Sequence, residues 1–425
     1  MKKIIIYTRA YNSEKTIRRA IESVLNQTYK NFIYYVLNNG STDKTGEIIL
    51  DYKENDTRIK YLHNEINNPG IFLLKLYDII QNEAFDFFST LDSDDEYLPE
   101  FLEKSLAFAE ENNLDLVCCG TNYVNTSTGE IINQRMTQEN LVIDNDKVIE
   151  TYFPVYSLFI SAIWGKLFSK DLLNYMIFDI INLKKSVSYV SDNCITCLAL
   201  KKAKSFGILS GIHHKYYKYK NQISNTLFPG RFIVNSIEYD LLMDFLKSRC
   251  GRINNENKKI ITGRYMGQVA STLEVLVNLD VETSLKEKIS LLYDIFTNTH
   301  TREAINMQDY YHEKERILSL AMSFILLQDK YKAIEKQGKM EETKMILFIC
   351  TELLVFCNNM FETMCKEKDT QFANLETKYN TLLNSRSIRF TQPIRKVAIL
   401  IRKNKVLYYA VKSVLSLKRK LNGIR

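Results

Sequence analysis

The first 120 residues alternate short apolar runs with stretches of helical periodicity, and this alternation restricts the fold more than any other feature of the chain. Ile4-Ile5-Ile6-Tyr7 is unbroken apolar sequence, as a strand buried on both faces requires. Ser13 is placed to cap a helix whose inward positions, Ile17, Ala20, Ile21, Val24 and Leu25, recur at intervals of three and four. Phe32 to Leu37, Arg58 to Leu62, Phe85 to Leu91 and Leu114 to Cys119 read as further strands. Between them, Ser41, Thr42 or Asp43 starts a helix through Ile48, Ile49 and Tyr52, Phe72 to Ile80 makes another, and Pro99 opens a third. Such alternation predicts an α/β fold, a doubly wound and mostly parallel sheet whose ligand crevice lies at the strand C-termini. Arg9–Asn12, Asn38–Asp43 and Asp92–Asp95 then share one rim.

From about Asn122 to Leu227 the pattern is mixed, with a hairpin signal at Ser127-Thr128-Gly129, an aromatic stretch around Trp164 and a helix after Asp192. Residues 229–330 show helical periodicity with few breakers. The expected organisation is an α/β domain over 1–228, a helical domain over 229–330, a long or coiled-coil-like helix over 331–384, and a basic amphipathic tail over 385–425. The helical region offers a surface for a homodimer.

A chain of 425 residues with 45% hydrophobic and 25% charged positions is ordinary globular sequence, neither disordered nor fibrous. Its net charge of +7 is unevenly placed. Of 57 Lys and Arg, thirteen follow Glu376 with no Asp or Glu among them, so residues 1–376 carry 44 basic against 50 acidic side chains. A basic tail on an acidic body calls for an anionic partner of the tail alone and argues against nucleic acid as a partner. Cys194 and Cys197 form the sole C-x-x-C among eight cysteines, with no second pair or nearby His at zinc-ligand spacing, and read as core residues. The apolar run at Ile4–Tyr7 is too short for a signal peptide, and Met345 to Cys357 is short and broken by Glu352. A cytoplasmic protein with reduced thiols is expected.

Leu91-Asp92-Ser93-Asp94-Asp95 is the sharpest chemical feature. Three carboxylates within four residues repel one another unless a cation lies among them, and Mg²⁺ or Mn²⁺ takes such oxygen ligands together with substrate phosphates. A solvated acidic turn before the next helix is the alternative. Asp192 likewise has two readings, a helix N-cap or a general base.

Several segments in order resemble glycosyltransferase family 2. They are Ala10-Tyr11-Asn12-Ser13-Glu14-Lys15-Thr16-Ile17, Ala20-Ile21-Glu22-Ser23-Val24-Leu25-Asn26-Gln27-Thr28-Tyr29, Asn39-Gly40-Ser41-Thr42-Asp43 and the acidic motif, which matches that family's D-x-D. Trp164-Gly165-Lys166-Leu167-Phe168, Ser191-Asp192-Asn193 and Tyr216-Tyr217-Lys218-Tyr219 with Ser224 continue the likeness, which covers roughly residues 1–227. The resemblance implies a GT-A fold followed by an all-α C-terminal region, a nucleotide-sugar donor, a divalent metal (Mn²⁺ or Mg²⁺) and an inverting single displacement. It places Arg9, Ala10, Tyr11, Asn12, Asn38, Asn39, Lys75, Asp92, Ser93 and Asp95 at the donor, with Tyr11 near the base, Asp92 at the ribose or metal shell, and Asp95 at the sugar or supporting that shell. Asp94 would coordinate the ion and Asp192 would act as base. Trp164 and Lys166 would line the acceptor site, the alternative for Trp164 being a core anchor. His213 would complete the metal shell or lie at a sheet edge.

The chain departs from the family pattern in specific places. Asn38 and Asn39 stand where two Asp are usual, Arg9 and Ala10 replace a common Pro-Thr, Lys75 takes the place of an Arg, and Ser191 replaces a Glu. Asn in place of Asp leads to the expectation of relaxed base discrimination. Ser385 to Arg395 resembles a segment recurrent at the C-termini of bacterial cell-surface glycosyltransferases, and Val397, Ile401, Tyr408, Val411 and Leu415 then line one side of a basic helix suited to a membrane surface. The expected function is transfer of a sugar, UDP-linked, to a glycan, lipid or protein acceptor in surface-glycan synthesis, at the cytoplasmic face of the membrane. The alternatives are a non-catalytic scaffold of glycan assembly and a nucleotidyltransferase of related fold.

Overall fold

The computed structural model describes residues 1–68, 70–186, 190–219, 230–277, 285–307 and 316–317. The expected long helix over 331–384 and basic tail over 385–425 lie outside the described residues. The chain divides into two compact units, Met1–Ser224 with Ile237–Lys258, and Asn225–Ser236 with Lys259–Arg425.

The first unit opens with β1 (Ile4–Ala10), α1 (Ile17–Leu25), β2 (Phe32–Asn39), α2 (Thr45–Asn55), β3 (Ile59–Asn64), α3 (Ile71–Asn82) and β4 (Phe87–Thr90). It continues through β5 (Glu96–Tyr97), α4 (Phe101–Asn112), β6 (Leu116–Asn125), β7 (Ile131–Arg135), β8 (Leu141–Ile143) and α5 (Asp146–Tyr156). After these come β9 (Lys166–Ser169), α6 (Lys170–Ser186), α7 (Asp192–Lys202) and β10 (Phe206–Lys218). The strands form one sheet in the order β3-β2-β1-β4-β9-β6-β10-β5, with β7 beside β6 and β8 beside β10. Its first four strands are parallel, as the strand–helix alternation predicted. β6 does not continue that series, because the later strand β9 inserts between β4 and β6 and runs antiparallel to both. No local pattern announces that insertion, which depends on pairing across 48 to 82 residues of chain.

Alternate residues of β1 serve the two faces of the sheet. Ile4 and Ile6 join a core with Ile17, Ala20, Ile21 and Val24 of α1, Ile48 and Ile49 of α2, and Phe101, Leu102 and Leu106 of α4. Tyr7 points the other way and meets Phe72 of α3, ring centroids 5.4 Å apart. Both faces of the parallel half are therefore covered, which explains why its strands read as continuous apolar runs.

Two helix starts differ from the expectation. Pro99 precedes α4 instead of opening it: Phe101 N–H bonds to the Leu98 carbonyl, and the Pro99 carbonyl accepts Thr28 N–H at 2.8 Å. Ser13 turns the chain into α1 through its carbonyl, which accepts Thr16 and Ile17 N–H, while its hydroxyl points elsewhere. The hairpin signal holds, with Gly129 at φ +74° joining β6 to β7.

α8 (Arg231–Cys250) and α9 (Asn255–Val277) each contribute to both units, and α10 (Leu285–Thr297) and α11 (Thr299–Asn306) belong to the second. Within that second unit Asn298 caps α11 by accepting His300 and Thr301 N–H, and Tyr265 OH bonds to Asn298 and Thr301. Among the described residues no helix is long and apolar enough to cross a membrane.

Candidate active site

β1 pairs with β2 on one side and β4 on the other, so the chain direction of the sheet order reverses at β1 and leaves a crevice beyond its C-terminal end. Leu91 N–H bonds to the Tyr7 carbonyl and the Leu91 carbonyl accepts the Thr8 hydroxyl at 2.8 Å, which extends the β1–β4 register up to Asp92. Arg9 and Ala10 end β1, and the following loop is clipped to its neighbours: Asn12, at φ +49°, accepts Thr42 N–H at 2.9 Å and donates its own N–H to Ser41. The Ser13 and Ser93 hydroxyls meet at 2.9 Å, tying this loop to the acidic one. Tyr11 remains exposed on the rim.

Asp92, Asp94 and Asp95 each bring a carboxylate oxygen within 4.8 Å of the others. Asp92 stands in a recess, open to solvent yet surrounded by protein. Desolvation there, together with the charges of Asp192 and Asp94, pushes its carboxyl up to about 7 against the opposing pull of Arg9. Burial also raises Asp94, with Arg19 opposing. Asp95 is wholly buried and raised well above the usual carboxylate range, first by desolvation and then by Asp92 and Asp94. One of its oxygens accepts Tyr217 N–H at 2.9 Å; the other has no hydrogen-bond partner and lies 3.5 Å from His214 Nε2. Clustered hard oxygen donors whose ionisation is suppressed by one another, one of them an orphaned buried oxygen, fit a divalent cation, which would relieve the repulsion.

Asp192 lies near enough for its charge to act on Asp92, and Arg9 acts on both carboxylates. It is the first residue of α7, and the capping position belongs to Ser191, whose Oγ accepts Cys194 N–H at 3.2 Å. The Asp192 carboxylate is thereby released from capping. Burial raises its proton affinity, while Arg9, Lys166 and the Ile163 backbone hold it down.

Other expected residues are placed differently from one another. Asn39 is buried and its amide is fully engaged: Oδ1 accepts Asn68 N–H and the Asn64 amide, and Nδ2 donates to the Asn68 carbonyl and Asn67 Oδ1. Asn38 accepts Ser41 N–H at 3.1 Å in the turn before α2. Lys75 lies half-buried in α3 and is not among the charges acting on Asp92 or Asp192. Trp164 and Lys166 are both buried; the Lys166 ammonium bonds to the Ala162 carbonyl at 2.6 Å, and burial drives its pKa down to about 8. His213 is not brought to the carboxylates. Its ring bonds to the Ser210 carbonyl at 3.0 Å on the side of Lys104 and Glu100, and its successor His214 faces Asp95 instead, stacked on Trp164 with ring centroids 4.4 Å apart. Adjacent strand residues point to opposite faces, so a one-residue choice decides which histidine reaches the site.

Arg19 is a site residue that the sequence reading did not pick out. From α1 it donates to the Asp94 carbonyl and to Tyr219 OH at 3.0 Å, and its guanidinium lies 3.6 Å from the Tyr217 ring centroid. It thus places a positive charge behind the acidic loop. Its signal in sequence is faint, a basic residue flanked by the inward positions Ile17 and Ala20.

The Glycosyl transferase family 2 model matches residues 5–171. The chain is 30% identical over 186 residues to the glycosyltransferase GlyA of Streptococcus pneumoniae, covering 42% of this chain and 26% of GlyA. It is 24% identical over 224 residues to the uncharacterized glycosyltransferase EpsJ of Bacillus subtilis, covering 52% of this chain and 62% of EpsJ. The chain therefore spans less than two thirds of either relative. Among solved structures, S. aureus TarS 1–349 in complex with UDP-GlcNAc is similar at a TM-score of 0.47 and 17% identity, covering 75% of this chain and 84% of that one. The parallel half-sheet and the acidic loop at the switch of strand order lie within residues 5–171, the stretch that matches the Glycosyl transferase family 2 model, so these residues form a glycosyl transferase family 2 domain with the GT-A fold.

Proposed function

We propose that the protein transfers a sugar from a nucleotide-sugar donor, UDP-linked, to a hydroxyl of a glycan, lipid or protein acceptor by a single inverting displacement in surface-glycan synthesis. One observation carries this reading: the charge of Asp192, at the start of α7, reaches Asp92 of the acidic loop after β4, although a hundred residues separate the two. A transferase of this kind needs two separated functions, anionic ligands for the donor's diphosphate end and a carboxylate that takes the acceptor's proton.

Asp92 and Asp94 would hold a Mn²⁺ or Mg²⁺ ion, with Asp95 supporting them from beneath through Tyr217 N–H. When bound, that ion supplies positive charge to the diphosphate as it departs. Arg9, exposed at the end of β1 and acting electrostatically on Asp92 and Asp192, would meet donor phosphate, and Tyr11 offers a ring face on the rim for the base. Asn39 has no spare hydrogen-bonding group, so base selection falls to other residues. Asp192 would accept the hydroxyl proton at its carboxylate while the acceptor oxygen attacks the anomeric carbon. Its raised proton affinity serves that role, because a base with ordinary carboxylate affinity is a weak proton acceptor.

Turnover of a UDP-sugar panel with Mn²⁺ tests the reading. Asp192→Asn should lower transfer roughly 10²–10⁴-fold with UDP binding retained, and Asp94→Asn should lower both turnover and Mn²⁺ dependence. A wild-type chain that turns over no nucleotide sugar would instead make it a scaffold of glycan assembly.

A further inference from the structure

Ala162 has φ +71°, a left-handed conformation that residues with a Cβ rarely adopt. Its peptide groups are fastened on every side. The Ala162 N–H donates to Asn193 Oδ1 at 3.1 Å, and its carbonyl accepts both Lys166 Nζ at 2.6 Å and Thr196 Oγ1 at 3.0 Å. Asn193 is itself held by the buried Glu238, Nδ2 to Oε2 2.8 Å. On the preceding side Arg135, also buried, donates to the Leu158 carbonyl and to Ser161 Oγ, each at 3.1 Å, with its guanidinium carbon 5.1 Å from the Trp164 ring centroid. On the following side Gly165 N–H reaches Tyr97 OH at 3.3 Å. What this fastened turn grips is the first turn of α7, through Asn193 and Thr196, where Asn193 directly follows Asp192.

A generic loop would not be built this way. Glycine at 162 would relieve the backbone, and an apolar side chain at 166 would avoid burying an ammonium against carbonyl oxygens. Strain and a buried cation concentrated on one peptide, itself bonded to the residue after Asp192 and to Thr196 one turn on, mark a device for aiming the carboxylate that begins α7. α7 takes part twice, since Asp192, Asn193 and Thr196 lie within its first five residues.

We propose that Lys166, Thr196 and Asn193 are positioning residues, locking the Ala162 turn against the first turn of α7 so that Asp192 is held toward the acceptor hydroxyl. This rests on Asp192 being the base. Lys166 then acts from below the acceptor site and does not touch the acceptor.

The test compares full-length Thr196→Val, Thr196→Ser and Lys166→Met on a UDP-sugar that the wild type turns over. Thr196→Val keeps the side-chain shape and removes only the donor. Its kcat should fall on the order of tenfold, as should that of Lys166→Met, while KM for the donor and calorimetric affinity for UDP with Mn²⁺ stay at the wild-type values. Thr196→Ser, which retains the hydroxyl, should recover most of the rate. The lock is overturned if kcat of Thr196→Val and Lys166→Met stays within about twofold of wild type, or if it falls only in proportion to folded protein in thermal melts. Full transfer by Asp192→Asn would refute the base assignment itself, whereas an inactive Asp192→Asn beside fully active Thr196→Val and Lys166→Met refutes the lock alone.

Discussion

Asn39 occupies a position where the family pattern has Asp, and its surroundings account for the amide. Two backbone groups of Asn68, an N–H and a carbonyl, bond to opposite ends of the Asn39 side chain and so require one acceptor and one donor there. A carboxylate has no donor. Asn39→Asp, which brings the residue closer to the family, should therefore destabilise the protein by ~1–3 kcal/mol, read as a lower urea midpoint at pH 8, because it sets an oxygen against the Asn68 carbonyl in a buried site. The expectation of relaxed base discrimination treated this amide as facing a ligand, whereas it faces the 64–68 loop. Residue type is legible in sequence; which neighbour a short side chain bonds is not, since that neighbour lies 25 to 29 residues away.

At the scale of elements, the path of β6 and β10 matters most for the site. Their parallel pairing slips between Leu209 and Ile212 and again before His214, and this bulged stretch brings His214 and Tyr217 to Asp95. The bulge packs against a glycine: a Cβ on Gly120 would lie 2.1 Å from the Gly211 carbonyl oxygen. Gly120→Ala should cost about 1–3 kcal/mol, measured as a lower denaturation midpoint with the m-value unchanged, because backbone must move to admit the methyl. Most elements were legible, since Ile4–Tyr7, Phe32–Leu37 and the three-and-four spacing of α1 carry their own periodicity. The antiparallel insertion of β9 and the side of β10 that meets the carboxylates were not, because both depend on register with distant strands.

For the molecule as a whole, gathering Asp92, Asp94 and Asp95 within reach of the charge of Asp192 has a cost that depends on pH. Asp92 is raised from 3.8 to about 7 in the folded protein, so between those values the folded state binds more protons than the unfolded chain. Stability of the metal-free protein should accordingly fall as pH rises from about 4 to about 7, and Mn²⁺ should raise the melting temperature more at pH 7.5 than at pH 5. Melting curves that are flat with pH and indifferent to Mn²⁺ would contradict this. The thirteen basic residues after Glu376 define a second property of the whole chain. We propose that they hold it to anionic membrane, each adding ~1 kcal/mol near the lipid surface; removal of residues 386–425 should move the protein from the pelleted to the supernatant fraction of phosphatidylglycerol vesicles. The amino-acid order alone determined the strand–helix series, the acidic loop at the end of β4 and the uneven charge, because each is local and periodic or compositional. Tertiary structure decided that the charge of Asp192 reaches Asp92, that Ser191 frees Asp192 from capping, and that Lys166 and Arg19 point inward to backbone carbonyls. Those outcomes follow from long-range packing, where a side chain's role depends on what the fold carries to it.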